Sequence, residues 1–588
     1  MKKTLTGLVI VLALAVCSNA AFAALLKSPY LIYPGNNTTM EVLWQDTQTE
    51  TTNQVCWGTT TSYSTCQTVP ENSPTANQHI YTITGLTPNT LYYYQVSDQT
   101  NGVYGTGSFL TAPVTGATSV NFLAFGDTRT DPTALDAVMA EMNKVIANNP
   151  TYQGLTVHAG DWVSSDGESN WTNEWFAPSL VDATAFRLLS PIDGVKGNHE
   201  NPAGSAPNYG TSQFFPKYYP FPWPNMGTFP AGTSTAPDKC YTAGLPCYNG
   251  LYWSFDYGPV HFTMVDQYTY YAPGTPQGQW ILNDLTNARN NPNTPWTILM
   301  YHEPAWTCGD HTDSPYPQQY LDSIIGGMVD LVIAGHSHNY CRTEVWNSAQ
   351  ANGDSIVPTI PYITSGGGGA PLGGVNLTNQ SSWKHVVVGD NDFNYSTFNV
   401  NGNTLTMSAY QVNNASLTTL PSASSPTSSS LIETLVLNHF TNVTSQVSVQ
   451  VGNIAYSRAT KTYVSTVTIT NNGAALTGNI DLVLNGLLAL QQTQSNGTVI
   501  PGVSAFNPAA ADPQTGQNGS GPATTVIATG NGLITNVTLT NATGQSNGAP
   551  VITFSTSGLA NGASVTVPLT FSNPSNGQIV YLPQILQE

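Results

Sequence analysis

Between residues 120 and 338 the chain repeats one arrangement: a short apolar run ends in a residue that can bind a cation or move a proton. The runs are VNFLAFGD, ending at Asp127; LTVHAGD, ending at Asp161; VKGNHE, carrying Asn198 and His199; ILMYHE, carrying His302; and VDLVIAGHSH, carrying His336 and His338. Among them lie stretches of helical character such as PTALDAVMAEMNKVIANN, TPQGQWILNDLTNARNN and PYPQQYLDSIIGG. Strands alternating with helices predict an α/β domain. In such sheets ligands bind beyond the carboxyl ends of the strands, so this pattern would gather all of these side chains along one edge.

Taken singly, each motif has an ordinary structural reading. A Gly-Asp after a strand is a turn or helix cap, GNHE is a turn with a capping Asn, and a lone histidine is a satisfied core residue. At successive strand ends of one segment, the set has no such account. With His199 set aside, two carboxylates, one amide oxygen and three imidazoles make a mixed O/N donor set, suited to zinc, iron or manganese rather than calcium. Most of these motifs hold no Lys or Arg to pair the acids, which leaves a cation as their partner. A strand turns residues i and i+2 to the same face, so His336 and His338 point at one spot if the extended run continues.

The flanks read differently. Residues 25–112 alternate polar and apolar side chains in short runs such as TMEVLWQD and LYYYQVSD, separated by turn-rich segments, which predicts an all-β sandwich. Within it, YTITGLTPNTLYYYQV resembles the fibronectin type III signature. The α/β pattern fills 118–412, LPSASSPTSSS at 420–430 reads as a linker, and 431–588 return to short β runs, read as a second, Ig-like sandwich. That last segment has no cluster of His, Cys or acids and is assigned no chemistry.

The chain begins MKKTLTGLVIVLALAVCSNAAFA, whose basic start, apolar stretch and Ala21-Phe22-Ala23 predict a secretory signal peptide over 1–23. A lipid anchor at Cys17 is the competing reading, against which Val16 stands where a small residue is expected. No other stretch is long and apolar enough to span a bilayer, so the expected location is secreted, extracellular or periplasmic. The formal charge is −19, and loss of Lys2 and Lys3 makes it more negative, which argues against a nucleic-acid partner. Six cysteines remain after cleavage, an even count that predicts three disulfides in an oxidising compartment. Proximity pairs Cys56 with Cys66 and Cys240 with Cys247.

With these motifs in this order, residues 119–412 resemble a calcineurin-like metallophosphoesterase. Together with the preceding sandwich they are similar to proteins of the purple-acid-phosphatase type. The family's pattern of GD, GDxxY, GNH(D/E), a further His and GHxHxY is matched in order, and YITSGGGGAPL at 362–372 resembles its glycine-rich strand. The resemblance implies a multidomain chain in which an αββα sandwich is flanked by all-β domains. It implies a secreted phosphoric-ester hydrolase, monoesterase or diesterase, acting on a phosphorylated small molecule or ester with two metal ions (Fe, Zn or Mn). By position, Asp161 bridges both ions, Asp127 and His338 hold the first, and Asn198, His302 and His336 hold the second. A metal-bridging hydroxide is then the nucleophile. His199 contacts the phosphate and protonates the leaving oxygen, His311 contacts substrate, and Tyr340 hydrogen-bonds behind the ligands.

Two positions depart from the family. Ser164 stands where purple acid phosphatases carry a tyrosine ligand, and Arg129 stands where many other metallophosphoesterases carry a histidine. The first site is left with Asp127, Asp161 and His338, helped by water, Ser164, Asp166 or another residue. Arg129 either meets a phosphate oxygen with its fork of donors or pairs with an acid such as Asp131. If the metal loops converge, a Cys308–Cys341 bridge ties them together. The competing function is an extracellular binding or assembly protein that uses the domain, with its weakened first site, as a scaffold. The C-terminal domain is then the natural place for docking to a cell-surface or protein partner.

Overall fold

A computed structural model describes residues 25–47, 52–69, 77–99, 101–201, 212, 214–223, 225–226, 249–269, 271–321, 328–345, 360–379, 384–413, 427–439, 441–490, 516–517, 537–546, 549–555, 558–573 and 578–587. The proposed signal peptide and the Cys240–Cys247 pair lie outside the described residues.

The N-terminal segment forms two antiparallel sheets of three and four strands. Strands Asn53–Gly58 and Thr65–Thr68 place Cys56 opposite Cys66, and the two are disulfide-bonded. Trp44, Val55, Tyr94 and Phe109 fill the space between the sheets. This sandwich is fastened to the next domain by Lys27, whose buried ammonium donates to Glu168 at 2.6 Å and to Thr172 at 3.1 Å. Lys217 and the Tyr218 hydroxyl meet the same Glu168, and the Tyr30 hydroxyl donates to the Tyr218 carbonyl.

The central domain is built on two seven-stranded sheets packed face to face. In the first, Ser119–Phe125, Thr156–His158 and Ile192–Gly194 run parallel. In the second, Val260–Met264, Trp296–Met300, Leu331–Ala334 and Ile360–Ser365 run parallel. Leu331–Ala334 reads as an uninterrupted apolar stretch because both faces are covered. Phe122 of the first sheet meets Phe262 of the second edge-on at 5.2 Å. Helix Pro132–Asn148 packs against the first sheet and helix Pro276–Arg289 against the second, giving the αββα layering. Asp131 caps the first helix by accepting the N–H groups of Thr133 and Ala134.

One boundary differs from the sequence reading. Ser428–Asn438, expected to be the end of a linker and the start of the C-terminal domain, pairs antiparallel with Thr404–Asn413 and extends the first sheet. Its Glu433 accepts from the Tyr340 hydroxyl at 2.6 Å and from Arg342 Nε at 2.9 Å. A strand is assigned by its partner, and this partner is fixed by contacts that local composition does not reveal. Beyond it, the C-terminal residues form two five-stranded antiparallel sheets with a separate core that includes Val467, Leu482, Leu569 and Phe571.

His261 joins the second sheet to its helix: Nδ1 lies 2.7 Å from Asp256 and Nε2 3.1 Å from Asp284. Burial opposes its charge, but the two carboxylates outweigh burial and raise the imidazole to about 9. A folded-state value above the unfolded one makes this contribution full below about 6.5 and lost as pH rises through about 9. His261→Gln is therefore expected to destabilise the fold by roughly 1–3 kcal/mol at pH 6 and much less at pH 10. Urea titrations of both proteins at the two pH values check this; equal losses would remove the charge from the explanation.

Candidate metal centre

The two sheets deliver their strand ends to one edge. Asp127 and Asp161 occupy equivalent turns after neighbouring parallel strands, joined by the Asp127 N–H to the Gly160 carbonyl and the Thr128 N–H to the Asp161 carbonyl, both at 2.9 Å. From the other sheet, the Gly335 N–H donates to the His302 carbonyl at 2.9 Å and holds the last two histidine-bearing loops side by side. Asp127, Asp161 and His336 have φ of 56°, 56° and 68°, in the left-handed region that non-glycine residues seldom enter. Such strain persists where surrounding structure holds it and concentrates at functional sites. Gly335 permits the approach: a Cβ there would lie 2.3 Å from Asp127 Oδ2.

His336 and His338 converge on the site, but by a turn rather than by strand alternation. The strand ends at Ala334, the Ser337 N–H donates to the Gly335 carbonyl, and the Asn339 N–H donates to the Ser337 carbonyl. The imidazoles consequently face different neighbours. His336 Nδ1 lies 3.1 Å from Asn198 Oδ1, whereas His338 Nε2 lies 3.8 Å from Asp127 and 2.9 Å from Arg129 Nη2.

Two adjoining groups of donors share Asp161. In one, Asp161, His302 and His336 place their ligand atoms within 4.8 Å of one another. Asn198 Oδ1 joins them, 3.0 Å from His302 Nε2 and 3.1 Å from His336 Nδ1. His302 is fully buried, and its Nδ1–H donates to the Ala159 carbonyl at 2.8 Å, which turns Nε2 toward the acids. Burial opposes protonation of His302, but Asp161 3.1 Å away dominates and raises it to about 10. His302 in turn holds Asp161 well below the usual carboxylate range against its burial. An acid, an amide oxygen and two imidazoles converging in this way fit a borderline divalent cation. In the other group, Asp127, Asp161 and His338 lie within the same span, but Arg129 is bonded among them.

The remaining expected residues fall into place unevenly. The His199 N–H donates to Asp161 at 3.1 Å, and its Nδ1–H donates to the Ser164 carbonyl at 2.7 Å, leaving Nε2 3.8 Å from Asp161 Oδ2 and partly open to solvent. The His311 ring is 4.0 Å from that of His336, at the rim. Cys308 and Cys341 are disulfide-bonded across two of the loops. Arg129 pairs with Asp161 rather than Asp131, which is engaged as the helix cap. The Tyr340 hydroxyl hydrogen-bonds Glu433 and makes no hydrogen bond to a candidate ligand. Ser164 donates its N–H and Oγ–H to Glu174, both at 2.8 Å, and Asp166 accepts from Trp171, Phe214 and Phe215. Both side chains are thus held by partners outside the first group.

Glu200 is an addition to the residues expected. Fully buried behind the site, it accepts the N–H groups of Gly197, Val163 and Asp161 at 2.8, 3.0 and 3.1 Å. Burial raises it to about 8, with Asp161 adding to the shift. It tethers the GNHE turn to the GDWV turn, a role that the motif's fourth letter carries without revealing. Asp310 is the other addition; it accepts the His338 N–H at 3.2 Å and lies with His311 and His338 in a third group of possible ligands.

A two-sheet α/β sandwich with acids, an amide and imidazoles at its strand ends is the architecture of metal-dependent phosphoesterases. Residues 120–340 match the calcineurin-like phosphoesterase family and residues 27–111 match the purple acid phosphatase N-terminal domain. The chain is 26% identical over 370 residues to a protein of Mycobacterium tuberculosis, covering 56% of this chain and 63% of that one. It is 25% identical to a purple acid phosphatase of Glycine max, covering 55% of this chain and 67% of that one. The chain thus spans less than two-thirds of the mycobacterial relative's length. The solved structure of PhoD shares the fold, with a TM-score of 0.51 and 13% identity over 72% of this chain and 91% of that one.

Proposed function

We propose that this protein hydrolyses phosphoric esters with the help of bound metal. The observation that carries the reading is the meeting of Asp161, Asn198, His302 and His336 at the joined strand ends of both sheets, with His199 beside them. These four residues would hold an ion, which when bound polarises a phosphoryl oxygen and makes a water molecule more acidic. Electrostatic attraction for a phosphate then comes from the site rather than from the acidic surface. His199 is placed to move a proton: the Ser164 carbonyl occupies Nδ1, so Nε2 is the nitrogen that meets the leaving oxygen. His311 at the rim is a substrate contact in this reading.

The disulfides Cys56–Cys66 and Cys308–Cys341 support action in an oxidising compartment outside the cytosol, in keeping with a signal peptide at 1–23. Among the described residues no helix is long and apolar enough to cross a membrane. Purified protein supplied with zinc, iron or manganese is expected to release nitrophenol from para-nitrophenyl phosphate or its bis-ester, and to stop when the metal is chelated. The faster of the two substrates separates monoesterase from diesterase. Absence of turnover on both, with every metal, would overturn the hydrolase and favour the scaffold.

A further inference from the structure

The donors of the first group surround a cation that belongs to the chain itself. Arg129 Nε donates to Asp161 Oδ2 at 3.2 Å, Nη2 donates to His338 Nε2 at 2.9 Å, and Nη1 donates to Thr130 Oγ1 at 3.0 Å. An ion shared by Asp161 and His338 would need both atoms at about 2 Å. The guanidinium bridges those same two atoms, so it and such an ion exclude one another. Charge reinforces the exclusion, because arginine keeps its proton and cannot serve as a ligand.

The other groups near this position also make bonds of their own. Both oxygens of Asp127 accept the His336 N–H, at 2.9 Å each, so this acid braces the GHSH turn. Ser164 is bonded to Glu174 and Thr130. The position of Arg129 in the chain explains the exchange: it stands two residues after Asp127, where a shorter imidazole could ligate an ion. The longer arginine carries its charged end past that point, to the place of the ion.

We infer that Arg129 replaces the first metal ion, so that the protein carries a single ion, held by Asp161, Asn198, His302 and His336. This rests on the reading of that group as a metal site. The guanidinium has five N–H donors; after the three bonds above, two remain for an oxygen of the phosphate. A fixed organic charge therefore does part of what a second ion would do, without being removable by a chelator.

Metal content per chain tests this directly. Elemental mass spectrometry on wild-type protein saturated with zinc, manganese or iron and then desalted is expected to give about one ion per chain. His338→Ala is expected to keep that ion and His302→Ala to lose it. Arg129→His, which supplies an imidazole and removes the fixed charge, is expected to raise the content to about two. About two ions in the wild type, or loss of the ion in His338→Ala, would overturn the inference. The outcome is separable from the hydrolase reading: two ions with metal-dependent turnover removes only the arginine substitution, and one ion with no ester turned over removes only the hydrolase.

Discussion

Replacing His199 with alanine is expected to lower turnover of an activated phosphate ester by about 10²–10⁴-fold, the usual contribution of a positioned acid or base. Metal content is expected to stay at the wild-type level, because His199 approaches Asp161 through its backbone N–H, which alanine retains. The loss should shrink as the leaving group becomes a better one, since a phenolate of low basicity needs less protonation. Parallel assays on nitrophenyl and alkyl phosphates read this difference. An equal loss on both, or a loss of metal, would assign His199 to structure rather than proton transfer.

The largest expected effect on stability lies one residue beyond Asp161. Trp162 is fully buried, its Nε1–H donates to the Val195 carbonyl at 2.8 Å, and its ring stacks on His158 with centroids 3.8 Å apart. Trp175 and Tyr219 close around it at 5.0 and 4.3 Å. Trp162→Ala leaves a large cavity and an unmatched carbonyl, and is expected to cost about 3–5 kcal/mol. Chemical denaturation followed by near-ultraviolet circular dichroism measures it. A shift equivalent to less than about 1 kcal/mol would mean that the surrounding aromatic side chains collapse into the space. Because Trp162 and Asp161 share one turn, metal affinity is expected to fall along with stability.

The candidate site was legible in the sequence to the extent that it depends on strand ends. A buried parallel strand shows itself as an apolar run, and where the run stops the next side chain lies at the sheet's edge; Asp127, Asp161 and His302 stand at such places. The condition set for the GHSH turn is not met, because alternation holds only while the chain stays extended, and His336 has a φ of 68°. Glu200 was visible as a letter but not as a tether, since its partners lie 3, 37 and 39 residues away.

The kinds of donor that the chain can offer, the order in which strands present them and the pairing of Cys56 with Cys66 were determined by the sequence itself, because each follows from local periodicity or short separation. Tertiary structure alone decided what each donor meets. Arg129 reaches Asp161 across 32 residues and His338 across 209, Glu433 reaches back 93 residues to Tyr340, and Ser428–Asn438 joins the first sheet instead of the domain that follows it. Such contacts depend on two segments arriving together, and the free energy that brings them there is that of burying both sheets against each other. The motifs therefore imply a place for two ions, whereas the folded chain puts a guanidinium in one of them.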